Sequence, residues 1–130
     1  MDARPEPLPP IFTAHLFPKL EGMLVELLRS LTPRDWEKQT LAPRWKVKDV
    51  AAHLLDTQVR KLSAFRNHGA HERPQITSQA DLVAFINSLN AEGVKKYREL
   101  SPEELIARME LASRESAEYH QSLDPFAPVM

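Results

Sequence analysis

RWKVKDVAAHLLD, residues 44–56, decides how the chain is read. Val47, Val50, Ala51 and Leu54 recur at three- and four-residue spacing, the period of a helix with one apolar face. Leu62 and Phe65 continue that stripe until Asn67 to Gly69 end it. Outward from this segment the same period returns. Leu20, Leu24, Leu27, Leu28 and Leu31 predict a preceding helix, which Thr13 would cap and Pro18 would kink. Leu82, Phe85, Ile86, Leu89, Tyr97 and Leu100 predict a third helix that starts near Ser78 or Asp81. SPEEL then opens a fourth, with Ser101 as N-cap, Pro102 at the first position and Glu104 closing a capping box. It runs through Leu105, Met109, Ala112 and Tyr119 towards Leu123. No segment alternates in the manner of a strand, so the expected fold is an all-α bundle of four or more helices.

Between these helices, LTPRDWEKQTLAP (31–43) reads as a loop with Trp36 packed down on the bundle, and HGAHERPQITS (68–78) as a second loop. Residues 1–10 hold four prolines and read as a disordered or polyproline-like arm, which leaves 11–130 as one bundle domain. Seventeen basic and eighteen acidic residues are interspersed, which gives no electrostatic footprint for nucleic acid. There is no cysteine, hence no disulfide, thiolate metal site or cysteine nucleophile, and a cytoplasmic location is expected. No apolar run approaches the ~20 residues that span a bilayer. Three glycines in all argue against a phosphate-cradling loop.

One histidine, His53, interrupts the Val, Ala and Leu of the central helix. A helical wheel places it on the shoulder of the apolar stripe with Asp49, Asp56 and Arg60. Two readings stand side by side. His53 is a boundary residue, with Asp49 favoured near the helix start by the macrodipole; or it is an imidazole metal ligand with Asp49 as an orienting carboxylate. A catalytic zinc needs about three protein ligands, so the other histidines matter. His68 and His71 flank Gly69 in a loop, and His15 lies at the start of the first helix. His120 falls on the apolar side of the fourth helix near Ser113 and Ser116, a weak second candidate. No His-x₃-His or Glu-x₃-His pair occurs. Asn90 lies in the apolar arc of the third helix beside Gly93; a buried amide needs partners, and glycine there admits another backbone.

Residues 24–56, LVELLRSLTPRDWEKQTLAPRWKVKDVAAHLLD, resemble the opening of the DinB-like superfamily, in particular mycothiol-dependent maleylpyruvate isomerase N-terminal domains. Leu28, Leu31, Asp35, Trp36, Trp45, Val47, Asp49, Ala52, His53 and Leu54 carry the likeness. INSLNAEGVKKYRELSPEELIARM, residues 86–109, adds Asn90 and the Ser101–Leu105 step. The resemblance implies a helical bundle holding a divalent metal, zinc or nickel, and acting with a low-molecular-weight thiol such as mycothiol or bacillithiol in transfer or isomerisation. It implies His53 as one metal ligand and a Glu/His or His/His pair on a last helix, which would lie beyond Met130. Asp49, Asn90 and Trp45 are supporting positions. Lys46 stands where the family has a capping Ser or Thr, so the helix must lose roughly 0.5–2 kcal/mol of capping or find another cap. The competing expectation is a non-catalytic interaction module, a homodimer joined through an exposed apolar stripe and carrying no metal.

The connection after the central helix sets the site's geometry. If 68–78 crosses the bundle, His120 ends level with His53. If it turns, the two lie roughly 15–20 Å apart on helical rise.

Overall fold

The structure, a computed structural model, describes residues 4–66 and 74–128. The fold is all-α. Among the described residues it has five helices: α1 (Leu16–Ser30), α2 (Pro33–Trp36), α3 (Val47–Arg66), α4 (Gln79–Tyr97) and α5 (Pro102–Ser122). The nearest approach to a sheet there is a single antiparallel bridge between Gln39 and Lys46. None of the described helices is long and apolar enough to cross a membrane.

The caps explain most of the boundaries. Ser101 Oγ accepts from the Glu104 amide while the Glu104 carboxylate accepts from the Ser101 amide, the reciprocal box that SPEEL predicts. Thr32 and Asp35 build a second box of the same kind, so the segment expected to be loop contains the short α2. The Lys38 ammonium bonded to Asp35, together with that box, holds the Asp35 carboxyl down at about 2. Since the folded value lies below the ordinary one, this contribution is present above pH 3.8 and is lost as pH falls towards 2. α1 begins at Leu16 rather than at Thr13, which puts Pro18 inside the first turn, where no intrahelical amide bond is forfeited. Lys46 does not cap α3 with its side chain. Instead the Val47 amide donates to the Lys38 carbonyl across the bridge (2.9 Å), and Asp49 Oδ2 accepts from the Lys46 amide (2.9 Å).

Ion pairs fix the helix directions. Arg98 just past α4 bonds Asp49 in the first turn of α3, and Asn90 bonds Arg60 farther along, so α4 runs antiparallel to α3. Arg66 at the end of α3 meets Glu115, and Phe65 stacks on Tyr119 (4.3 Å), so α5 runs parallel to α3. Arg29 pairs with Glu110 and Phe17 stacks on His120, which makes α1 antiparallel to α5. The core lies among α1, α3 and α5: Val25, Leu28, Leu55, Leu62, Leu105 and Met109, with Trp36 closing one end. Each large apolar side chain in it contributes roughly 1.5–3 kcal/mol of burial.

Two faces differ from the sequence expectation. α1 keeps Leu28 in the core with Leu24 and Leu31 packed against it, as expected, but also buries Glu21 and Val25 and exposes Leu20 and Leu27. α4 packs through Gly93, Val94 and Tyr97, while Leu82 and Ile86 lie outside. Both segments carry apolar residues around most of their circumference, so periodicity alone does not select the buried face.

Candidate functional site

His53 is half-buried in the second turn of α3. Its ring lies 4.9 Å from the Trp45 ring at a tilt of 36°, and its Nδ1 is buried without a hydrogen-bond partner among the described residues. An unpaired buried nitrogen costs roughly 1–3 kcal/mol. Trp45 is positioned by the turn that precedes α3. Its carbonyl accepts from the Thr40 amide (3.2 Å), the Thr40 hydroxyl (2.7 Å) and the Gln39 amide side chain (3.1 Å).

Asp49 is buried, and its hydrogen bonds go to the Lys46 amide and to Arg98 Nε (3.1 Å), not to His53. Asp56, one turn beyond His53, is also buried and accepts from Arg60 Nε (2.7 Å). The same guanidinium donates to Asn90 Oδ1 (3.1 Å), so the half-buried amide of α4 is tied to α3 by a side chain rather than by a helix end or loop carbonyl. Gly93 admits the carboxylate of Asp56, not another backbone; a Cβ on Gly93 would meet the Asp56 side chain, its own Cβ included, at 2.8 Å or less. Asn90 and Trp45 share a cleft of about 360 Å³ with Arg44 and Asn87. Three of the positions singled out in the sequence (His53, Trp45 and Asn90) thus form one neighbourhood, joined through Trp45.

His120 lies elsewhere. Its ring stacks on Phe17 (4.1 Å) and meets Phe65 edge-on (6.3 Å). Phe65 is more than three turns past His53, about 18 Å at ~1.5 Å rise per residue, so the turning alternative holds and the two histidines sit at opposite ends. His15, at the start of α1, is exposed and shares the His120 end. His68 and His71 lie outside the described residues. Among those described, no group of three or more His, Cys, Asp or Glu could hold a metal ion. Among them His53 offers an imidazole with an orphaned nitrogen on a rigid helix, without the further ligands that a metal site needs.

One polar cluster was not legible beforehand. Glu21 of α1 is buried against Gln58 of α3, whose amide donates to Oε1 at 3.0 Å. Glu21 Oε2, Gln58 Oε1 and Ser113 Oγ remain buried and unpaired. Burial pushes the Glu21 carboxyl above its ordinary range, partly offset by the Gln58 bond and by Lys61 and His120. A proton on the carboxyl supplies a donor that the ionised form lacks. The available signal was the spacing of Glu21, Val25 and Leu28, an i, i+4, i+7 stripe competing with Leu20, Met23 and Leu27.

A folded-state value above the unfolded one means that the native chain binds more protons, so stability falls as pH rises through it. Glu21→Gln is expected to remove that loss: its urea midpoint should exceed that of the parent chain at about pH 8 and approach it at about pH 4. An unchanged difference between the two conditions would show that Glu21 does not titrate in this range.

The family model described as mycothiol maleylpyruvate isomerase N-terminal domain matches residues 17–130. No curated protein and no solved structure matches the chain.

Proposed function

The chain belongs to the family of mycothiol maleylpyruvate isomerase N-terminal domains, and on that footing we propose that it is a cytoplasmic divalent-metal-binding bundle that works with a low-molecular-weight thiol. The observation that supports this reading is His53: it stands where the sequence resemblance implies a metal ligand, and its buried Nδ1 has no partner among the described residues. A zinc or nickel ion, when bound, would supply Lewis acidity and lower the pKa of a coordinated thiol or water. The chain's own residues orient and enclose. Trp45 limits how far the His53 ring can turn. Asp49 ties the first turn of α3 to Arg98, which holds the ligand-bearing helix against α4. The cleft of Trp45, Asn90, Asn87 and Arg44 offers amide and guanidinium groups to a small polar substrate. The remaining metal donors come from outside the described residues.

Proximity to Trp45 provides the test. Nickel bound at His53 should quench Trp45 fluorescence, and Trp45→Phe, which leaves Trp36, should remove the quenching. Quenching that survives in His53→Ala would place the metal elsewhere.

A specific observation favours a second reading, the interaction module. Leu16, Leu20, Met23 and Leu27 of α1 are 40%, 61%, 58% and 58% exposed, at the four-three-four spacing of a coiled-coil seam. Two copies meeting antiparallel through this stripe would set Lys19 of one beside Glu26 of the other, a self-complementary arrangement. Sedimentation is expected to give a dimer that Leu20→Asp with Leu27→Asp converts to a folded monomer. A parent chain that stays monomeric at high concentration would remove this reading.

A further inference from the structure

At the end of the bundle opposite His53, the segment before α1 and the segment after α5 close over a cleft of about 360 Å³. Ile11, Phe12, Phe17 and Leu123 supply apolar walls; among the described residues, His15 and His120 are its titratable groups and no acidic side chain lines it. The rim is unusually apolar for a surface, with Ile11 81% and Phe12 62% exposed.

His120 is held in one orientation. Nδ1 lies 2.7 Å from the carbonyl of Ser116. A carbonyl only accepts, so Nδ1 carries the hydrogen, and Nε2 is the nitrogen left to bond a ligand. Nε2 has no protein partner among the described residues, while the ring is fixed by the Phe17 face and by the edges against Phe65 and Tyr119. An imidazole pre-oriented by a backbone carbonyl, in an apolar cleft without a carboxylate, suits an acidic group on an apolar body. The carboxyl of Glu21 interacts with His120, but burial pushes it towards neutrality, so it is a poor internal counter-ion.

We propose that this cleft binds a small monocarboxylic acid with an apolar tail, the carboxyl group sharing one proton with Nε2 of His120 and the tail lying against Ile11, Phe12 and Phe17. The proton serves the pair whichever partner carries it: imidazolium donates to carboxylate, or carboxylic acid donates to imidazole. The site is independent of metal at His53, so neither proposal stands or falls with the other.

Octanoate, octan-1-ol and octylammonium serve as probes, followed by amide NMR on the full chain. Octanoate is expected to saturate with Kd of about 1 mM or tighter, octylammonium at least about tenfold more weakly. Shifts should be confined to residues 11–17 and 120–126. His120→Phe keeps a flat ring on Phe17 but removes both nitrogens; octanoate should weaken at least about tenfold while octan-1-ol stays within about twofold. Ile11→Ser, at an exposed wall position, should weaken octanoate and octan-1-ol alike, and it decides the question if His120→Phe does not fold. The proposal is overturned by equal binding of octanoate and octylammonium, by an Ile11→Ser chain that binds as the parent does, or by shifts that map to the α1 stripe.

Discussion

Gly93→Ala is expected to destabilise the protein by roughly 3 kcal/mol, the upper range for overpacking, and to lower the melting temperature by about 10–15 °C. Alanine normally gains up to ~1 kcal/mol over glycine inside a helix, so the expected sign is opposite to the propensity. The reason is local. The new Cβ would overlap the Asp56 carboxyl, and that side chain cannot easily swing away, because it is buried and held by Arg60. Displacing it would leave a buried charge short of its partner and strain the Arg60–Asn90 bond that joins α3 to α4. Gly22→Ala is the internal control. Its Cβ would meet nothing within 4 Å, so that variant should be slightly more stable than the parent. Equal melting temperatures for the two variants would contradict the close approach of α4 to α3.

Trp36→Ala is expected to cost about 3–5 kcal/mol, much of the 5–15 kcal/mol by which a domain of this size is stable. Trp36 is 3% exposed and belongs to a four-residue helix that owes its existence to the Thr32–Asp35 box. The loss should reach the candidate site. Without this anchor, the turn that delivers the Lys38 carbonyl to the Val47 amide loosens, and so does the placement of Trp45 against His53. Urea unfolding checks the first effect, and the near-ultraviolet dichroism of Trp45 at sub-denaturing urea checks the second. A midpoint shift below about 1 kcal/mol would mean that the neighbours fill the space.

The helices were legible where a cap and a period agree. Ser101, Pro102 and Glu104 mark the start of α5 unambiguously, and Val47 to Leu54 mark α3. Thr32, Pro33 and Asp35 carry the same kind of signal, but four residues are too few for a period to accompany it, so the sequence does not distinguish α2 from a loop. On α1 the sequence correctly marks Leu24, Leu28 and Leu31 as inward, but Leu20 and Leu27 compete with Val25, and nothing local says that Glu21 goes inside. His53 and Trp45 were found because they share one short segment. The partners of Asn90 and Asp49 were not, because Arg60 and Arg98 are 30 and 49 residues away in the chain and meet them only through tertiary packing.

The proposal that His53 is a metal ligand is tested most directly by calorimetric titration of this chain with zinc. Weak binding is expected, with Kd of roughly 10 μM or weaker, because no group of three metal-ligating side chains occurs among the described residues. His53→Ala should give no measurable heat and lose little thermal stability, because the ring is only half-buried. Zinc binding of unchanged affinity in His53→Ala would contradict the claim.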